Sequence, residues 1–274
     1  MRCLCVRKTA AVVWLGIWAC VLSGCGKKSE RAPGPGTIVF TANGEDFVRK
    51  GFVDRTGWAI SFDTLLVTIV DPCAYLPPDE KLLAVLEGEH RVDLAEGDAD
   101  AGPVVVGRLD SVPVGNYQAL RFKIRRASSG PWSGHSMVMI GTARKEDRVV
   151  PFSITLDEEM DFDGTEGFVG DEVRGLLKPG GTTTVEMTFH FDHIFGDHEV
   201  PPDDHINTGS VGFDFFHAFA SDGRVAVEQK DMQSADDYPT LVKAVWTLGH
   251  LGEGHCAVSN RTSAARIGEQ PHEE

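Results

Sequence analysis

Hydrophobic positions along the chain recur mainly with a period of two, the period of a β-strand that has one buried face. The segments TIVFTA (37–42) and WAISFDTLLVTIVD (58–71) are rich in β-branched residues and predict strands. HSMVMIGTA and VVPFSITL flank the polar turn RKEDR and predict a hairpin. The alternation is most regular in TTTVEMTFHFD (182–192). There we expect Val185, Met187, Phe189 and Phe191 to point inward, and Glu186, Thr188, His190 and Asp192 to point outward.

The segment YQALRFKIRRA (117–127) alternates in the same way, with Leu120, Phe122 and Ile124 on an apolar face. Turns rich in glycine, proline and aspartate separate these segments. Short, evenly spaced strands of this kind are typical of two packed sheets. The pattern therefore predicts a mainly β protein, an antiparallel β-sandwich over residues 37–258, with a short C-terminal helix.

That helix is predicted within SADDYPTLVKAVWTLGHLGEG (234–254). Asp237 stands at its start, Pro239 falls in its first turn, and Gly249 ends it. Three apolar residues share one face, which we expect to pack on one end of the sheets. They are Leu241, Val245 and Leu248.

The first 24 residues have the organisation of a signal peptide, with a basic start and an apolar run from Thr9 to Leu22. A run of that length is too short to cross a bilayer as a helix, which takes about 20 residues. Its end, LSGC, resembles the lipobox of bacterial lipoproteins. The resemblance implies cleavage before Cys25, a lipid on Cys25, and a flexible tether over residues 25–36.

A lipid anchor predicts an extracytoplasmic protein attached to the cell membrane, since several acyl chains hold a protein there stably. Gly26 follows the cysteine in place of the aspartate that retains many lipoproteins at the inner membrane. In a Gram-negative source the protein is therefore expected at the outer membrane, facing the periplasm or the cell surface. Residues 259–274 predict a polar, disordered tail.

The charge of the chain is strongly acidic. Its formal value of −15 becomes −18 once the signal peptide, with its three basic and no acidic residues, is removed. Such a surface repels nucleic acid and attracts cations, and it also keeps a protein soluble. We therefore expect no nucleic-acid partner; a protein or glycan of the cell envelope stays open as a partner.

Three of the six cysteines remain after removal of the signal peptide: Cys25, Cys73 and Cys256. With Cys25 carrying lipid, the other two are expected to form a disulfide in an oxidising compartment. The alternative is that Cys256 acts as a soft metal ligand together with His250 and His255.

Parts of the chain resemble known protein families. LDSVPVGNYQALRFKI (109–124) is similar to a motif of prealbumin-like and carboxypeptidase-regulatory-like β-sandwich domains, which occur in bacterial lipoproteins just behind the lipobox. The segments TANGEDFVRKGFVDRTGWAISFD and FHFDHIFGD are similar to uncharacterised periplasmic lipoproteins. The resemblance covers residues 37–220 and implies a binding or structural module without catalytic residues.

The stretch HFDHIFGDHEVPPDDH (190–205) holds four histidines and five acidic residues in sixteen positions. Imidazole and carboxylate together suit Zn²⁺, Cu²⁺ or Fe²⁺. The candidate ligands are His190, Asp192 and His193, with His198 or His205 folding back to complete the set. The alternative is a solvated acidic loop that contains histidines.

A weaker calcium site is predicted in EEMDFDGTEGFVGDE (158–172). There Glu159, Asp161 and Asp163 match the first three ligand positions of an EF-hand loop. Position 12 of such a loop would be Gly170, which has no carboxylate, so an acidic turn between strands is the alternative.

These observations give three hypotheses for the function. The first is a non-catalytic binding module that coordinates a divalent metal through the His/Asp-rich stretch. The second is a structural or adhesive envelope lipoprotein without a metal. The third, metal-assisted hydrolysis, needs an open coordination position and a nearby base such as Glu199.

Overall fold

The computed structural model describes residues 34–77, 82–165, 175–251 and 254–260, and in this part of the chain the protein is mainly β, as predicted. The strands are β1 Gly36–Asn43, β2 Phe52–Val53, β3 Ala59–Tyr75, β4 Leu83–Val85, β5 Glu89–Asp93, β6 Val104–Val112, β7 Gly115–Asn116, β8 Ala119–Ile124, β9 Met137–Lys145, β10 Arg148–Leu156, β11 Met160–Thr165, β12 Leu176–Leu177, β13 Thr182–Phe189, β14 Val225–Glu228, β15 Gly249–Leu251, β16 Gly254–His255 and β17 Ala257–Asn260. The helices are α1 Glu45–Lys50, α2 Asp192–Phe195, α3 His205–Gly209, α4 Gly212–His217, α5 Gln229–Met232 and α6 Tyr238–Trp246.

Several predictions fall on residues outside these ranges: the signal peptide, Cys25, most of the tether, and the tail from residue 261 onward. The strands begin at Gly36 and end at Asn260, so the folded part starts within the predicted tether and extends two residues into the predicted tail. None of the described helices has the length and apolar character needed to cross a bilayer.

Two large sheets form the body of the fold. The first sheet has the strand order β16-β15-β13-β1-β6. The second has the order β14-β10-β9-β3-β8-β11-β17, and β2, β4 and β5 also pair with the long strand β3. A separate two-stranded sheet joins β12 to β7.

The strand directions differ in part from the predicted antiparallel arrangement. β1 and β13 are parallel neighbours, with Thr37 opposite Thr182, and β10 and β14 are also parallel. Alternation of apolar and polar residues fixes which side chains face the core, but it reads the same for either strand direction. A tight hairpin would have imposed the antiparallel direction, whereas 138 of the 274 residues lie between β1 and β13.

The core lies between the two large sheets. Leu120, Phe122 and Ile124 of β8 are buried, as their alternation predicts. The ring of Phe122 stacks on Phe162 in the same sheet and meets Phe189 of the first sheet edge-on at 5.8 Å. These aromatic contacts therefore join one sheet to the other.

The predicted inward face of β13 is confirmed, because Val185, Met187, Phe189 and Phe191 are all buried. The predicted outward face is less open to solvent than the sequence suggests. Thr188, on that face, is only 3% exposed.

The predicted C-terminal helix is also confirmed, with Asp237 at its N-cap and Pro239 in its first turn. Leu241, Val245 and Leu248 are buried, and α6 packs beside α2 and α3. Gly249, however, does not end the helix but begins β15. A Cβ at this position would lie 2.7 Å from a ring carbon of Phe162, so the glycine permits a close approach of the two sheets.

The predicted disulfide between Cys73 and Cys256 is not formed. Cys73, on β3, lies opposite Arg121 of the neighbouring strand β8. The next strands in the sheet are β11 and then β17, and Cys256 directly precedes β17. Three strand spacings amount to roughly 14 Å, whereas Cα atoms joined by a disulfide lie about 4.4–6.8 Å apart. The Cys256 sulfur instead packs beside Gly164. An even number of cysteines in the sequence makes a disulfide possible, but it does not show that the two cysteines lie close together in the fold.

Asp54 fastens the loop before β3 to the start of α4. Its fully buried carboxylate accepts hydrogen bonds from the backbone N–H groups of Thr56, Trp58 and Phe213 and from the Thr56 hydroxyl. Burial raises the pKa of Asp54 above its ordinary value, and these hydrogen bonds act in the opposite direction. One carboxylate therefore joins segments that are far apart in the sequence.

We expect Asp54→Ala to lower the free energy of unfolding by about 3 kcal/mol, because it leaves several buried donors without an acceptor. Asp236→Ala, at an exposed position, is the matched control and should change it by less than about 0.5 kcal/mol. Urea unfolding of both variants at neutral pH measures the difference. Equal stabilities for the two variants would contradict a fastening role for Asp54.

Candidate metal centre

The candidate site begins where β13 ends. Phe189 and Phe191 are fully buried, so His190 between them is directed away from the core. The chain then turns into α2, which opens with Asp192 and His193. Burial of Ile194 and Phe195 anchors this short helix and thereby fixes its first turn beside the strand end.

His190, Asp192 and His193 can each offer a ligand atom such that all three atoms lie within 4.8 Å of one another. Atoms bound to one ion at 2.0–2.2 Å and at tetrahedral angles lie about 3.4 Å apart. Binding an ion would therefore draw the most widely separated of the three ligand atoms together by up to roughly 1.4 Å. This group is the one found among the described residues, and it could hold a metal ion.

Each of the two histidines has an oxygen near its Nδ1 atom. His190 Nδ1 lies 3.4 Å from a carboxylate oxygen of Glu45, and His193 Nδ1 lies 2.9 Å from the hydroxyl of Thr247. Metal-binding histidines usually present one ring nitrogen to the ion while the other contacts a carboxylate, carbonyl or similar group. The contacts at Nδ1 leave Nε2 as the coordinating nitrogen in such an arrangement.

The Asp192 carboxylate is partly withdrawn from water. Burial raises its pKa above the ordinary value, while His190 and nearby backbone N–H groups act to lower it. Its Oδ1 atom is buried and has no hydrogen-bond partner among the described residues. A buried carboxylate oxygen of this kind is costly unless a cation or a donor offsets it.

A third imidazole lies at the same place, which sequence reasoning did not assign to this group. His250 of β15 is paired in register with Thr188 of β13, and its ring centroid is 4.1 Å from that of His190 and 5.4 Å from that of His193. It lies 60 positions after His190 in the chain, outside any local spacing motif. Only the pairing of β15 with β13 brings the two together.

The loop after α2 is held in a different place by Asn207. The Asn207 amide donates hydrogen bonds to the backbone carbonyls of Asp197, Val200 and Pro201, and its oxygen accepts one from the Asp197 N–H. Gly196 allows the tight passage, because a Cβ there would lie 2.6 Å from the Asn207 oxygen and its φ is +72°.

His198 and His205 were predicted to complete the metal set, and the structure does not bring them to it. Both are exposed, and the backbone N–H of His198 donates a hydrogen bond to the backbone carbonyl of Val53. His205 pairs with its neighbour Asp204 at the start of α3. Glu199, the predicted base for hydrolysis, is exposed on the same loop. Internal hydrogen bonding of the loop is the reason that these residues do not fold back.

The three predicted calcium ligands each contact a different arginine and do not converge on one point. Asp161 and Asp163 lie two apart on β11, where Asp161 pairs with Arg125 and Asp163 with Arg121. Glu159 accepts a hydrogen bond from the backbone of Arg126. An extended strand does not wrap an ion, and guanidinium groups hold the two aspartates, so the geometry does not support a calcium site. Gly170 lies outside the described residues.

The alternative grouping of Cys256 with His250 is not formed either. Gly249 and Leu251 pair with the core-facing residues Phe189 and Met187, so His250 between them faces the opposite side of the sheet. Cys256 packs against the core beside Gly164. The side chain of His255 lies outside what the structure describes.

Comparison of the chain with protein-family models, with curated proteins and with solved structures finds no match in any of the three. The function is therefore inferred from the geometry of the site.

We expect Asn207→Ala to release the loop over residues 197–206 without removing the metal cluster, because the amide makes four hydrogen bonds there. Amide hydrogen exchange in that loop should accelerate, while exchange in β13 stays unchanged. Asp203→Ala, at the exposed tip of the same loop, serves as the control. An unchanged exchange pattern in Asn207→Ala would show that the loop is held by something else.

Proposed function

We propose that this protein is a lipid-anchored, extracytoplasmic binding protein that coordinates a divalent transition-metal ion through His190, Asp192 and His193. The observation that carries the proposal is the convergence of two imidazoles and a partly buried carboxylate within 4.8 Å. A bound ion would offset the cost of withdrawing the Asp192 carboxylate from water.

The donor atoms decide the class of metal. Imidazole nitrogen together with carboxylate oxygen suits Zn²⁺, Cu²⁺ and Fe²⁺. Ca²⁺ takes six to eight oxygen ligands, and two of the three donors at this site are imidazoles. Glu45 and Thr247, which approach the Nδ1 atoms of the two histidines, would orient the rings toward the ion.

The surroundings of the site agree with this function. The formal charge of −15 attracts cations toward the protein. The sequence LSGC, ending at Cys25, supports attachment to a membrane through lipid, which would hold the site outside the cytoplasm. The protein would then bind its metal ion outside the cytoplasm, at the membrane that carries the lipid anchor.

The test is the metal content of the full chain, produced without an affinity histidine tag and purified in mild detergent without chelator. We expect about one equivalent of Zn, Cu or Fe by mass spectrometry, and loss of that metal in His190→Ala/His193→Ala. The matched control is His198→Ala/His205→Ala, which also removes two histidines from the same stretch. Because both of its positions are exposed and outside the cluster, this control should retain the metal.

Metal binding should also raise the stability of the folded protein. At a free ion concentration 100 times the dissociation constant, a ligand that binds only the folded state stabilises it by about 2.7 kcal/mol. The unfolding temperature should therefore rise with added Zn²⁺ in the parent chain and in the control, but not in the His190/His193 variant. A folded parent chain that takes up none of the three metals would refute the proposal and favour a structural or adhesive envelope protein.

A further inference from the structure

β15 brings a part of the chain from beyond α6 to the candidate metal centre. It is a strand of three residues that pairs with the end of β13 on one side and with β16 on the other. The His190 N–H donates to the carbonyl of Leu248, immediately before the strand, at 3.0 Å. The backbone therefore fixes His250 next to His190, and the His250 side chain is only 4% exposed.

The three imidazole rings form a compact triangle. Their centroids are 5.7 Å apart for His190 and His193, 5.4 Å for His193 and His250, and 4.1 Å for His190 and His250. Rings whose nitrogens lie 2.0–2.1 Å from one ion at tetrahedral angles have centroids roughly 5 Å apart. Two of the sides are close to that value, and the shortest needs a widening of about 1 Å. The ligand atoms that lie within 4.8 Å of one another are those of His190, Asp192 and His193, so an ion would also have to draw the His250 ring nitrogen inward.

We infer that His250 is a further ligand of the same ion, so that a bound metal ties the C-terminal segment Gly249–Asn260 to the end of β13. The inference rests on the proposed function, because it concerns the ion held by His190, Asp192 and His193. With His250 the set becomes three imidazoles and one carboxylate. Four protein donors fill a tetrahedral zinc site and leave no open position, as in structural sites and unlike catalytic ones.

The segment that the ion would hold contributes strands to both large sheets. After β15 and β16 in the first sheet, the chain passes to the second sheet, where β17 pairs with β11. β15 and β16 have three and two residues, and short terminal strands with few hydrogen bonds open readily. An ion held by both His190 and His250 would link β15 to β13 by coordinate bonds, and it would thereby stabilise the crossing between the sheets.

The experiment compares the full chain, His250→Ala and His205→Ala, each with saturating Zn²⁺ and with chelator. We expect Zn²⁺ to slow amide exchange over residues 249–260 at least about tenfold in the full chain and in His205→Ala. In His250→Ala the ion should bind at least roughly 100-fold more weakly, since even the loss of an outer contact of a metal ligand costs 10–100-fold. Zn²⁺ should then no longer slow exchange in that segment.

The outcomes separate the two proposals. Zn²⁺ binding to His250→Ala with parental affinity, together with the same slowing of exchange, overturns the role of His250 and leaves the metal centre intact. Absence of binding to the full chain overturns both. X-ray absorption at the zinc edge of the full chain gives a measure that needs no variant, should His250→Ala fail to fold. Three imidazoles per zinc support the inference, and two overturn it.

Discussion

The burial of one face of β13 against the second sheet is the constraint on which the rest of the structure depends. Each large apolar side chain removed from water there contributes about 1.5–3 kcal/mol, and four such residues stand at alternate positions through Phe191. A slip of one residue would turn all of them outward and drive His190 and Asp192 into the core. The register of β13, and with it the direction of His190, is therefore fixed by hydrophobic burial rather than by polar contacts.

The strands and their buried faces could be predicted because they depend on local alternation. The β9–β10 hairpin, the faces of β8 and β13 and the position of α6 all follow from such patterns. The parallel pairing of β1 with β13 could not be predicted, since alternation carries no information on strand direction. The same reason applies to Cys73 and Cys256, whose separation depends on which strands lie between them.

The candidate site divides along the same line. His190, Asp192 and His193 lie close together in the sequence, and their proximity survives the turn from strand to helix. His198 and His205 belong to the same stretch of sequence, but the Asn207 side chain makes four hydrogen bonds to the intervening loop and holds it away from the cluster. His250 was missed because only a pairing between distant strands brings it to the cluster.

Gly249 connects the hydrophobic core with the candidate metal centre on the other face of the same strand. Its missing side chain lets the first sheet approach the ring of Phe162, and the next residue in the chain is His250 on the opposite face. The thickness of the hydrophobic layer beneath β15 therefore determines the position of the His250 imidazole on the other face of the strand. Variation in the size of the core residue at 162 would move His250 relative to His190 and His193. Under the proposed coordination, residues that never touch the ion would therefore tune the metal preference.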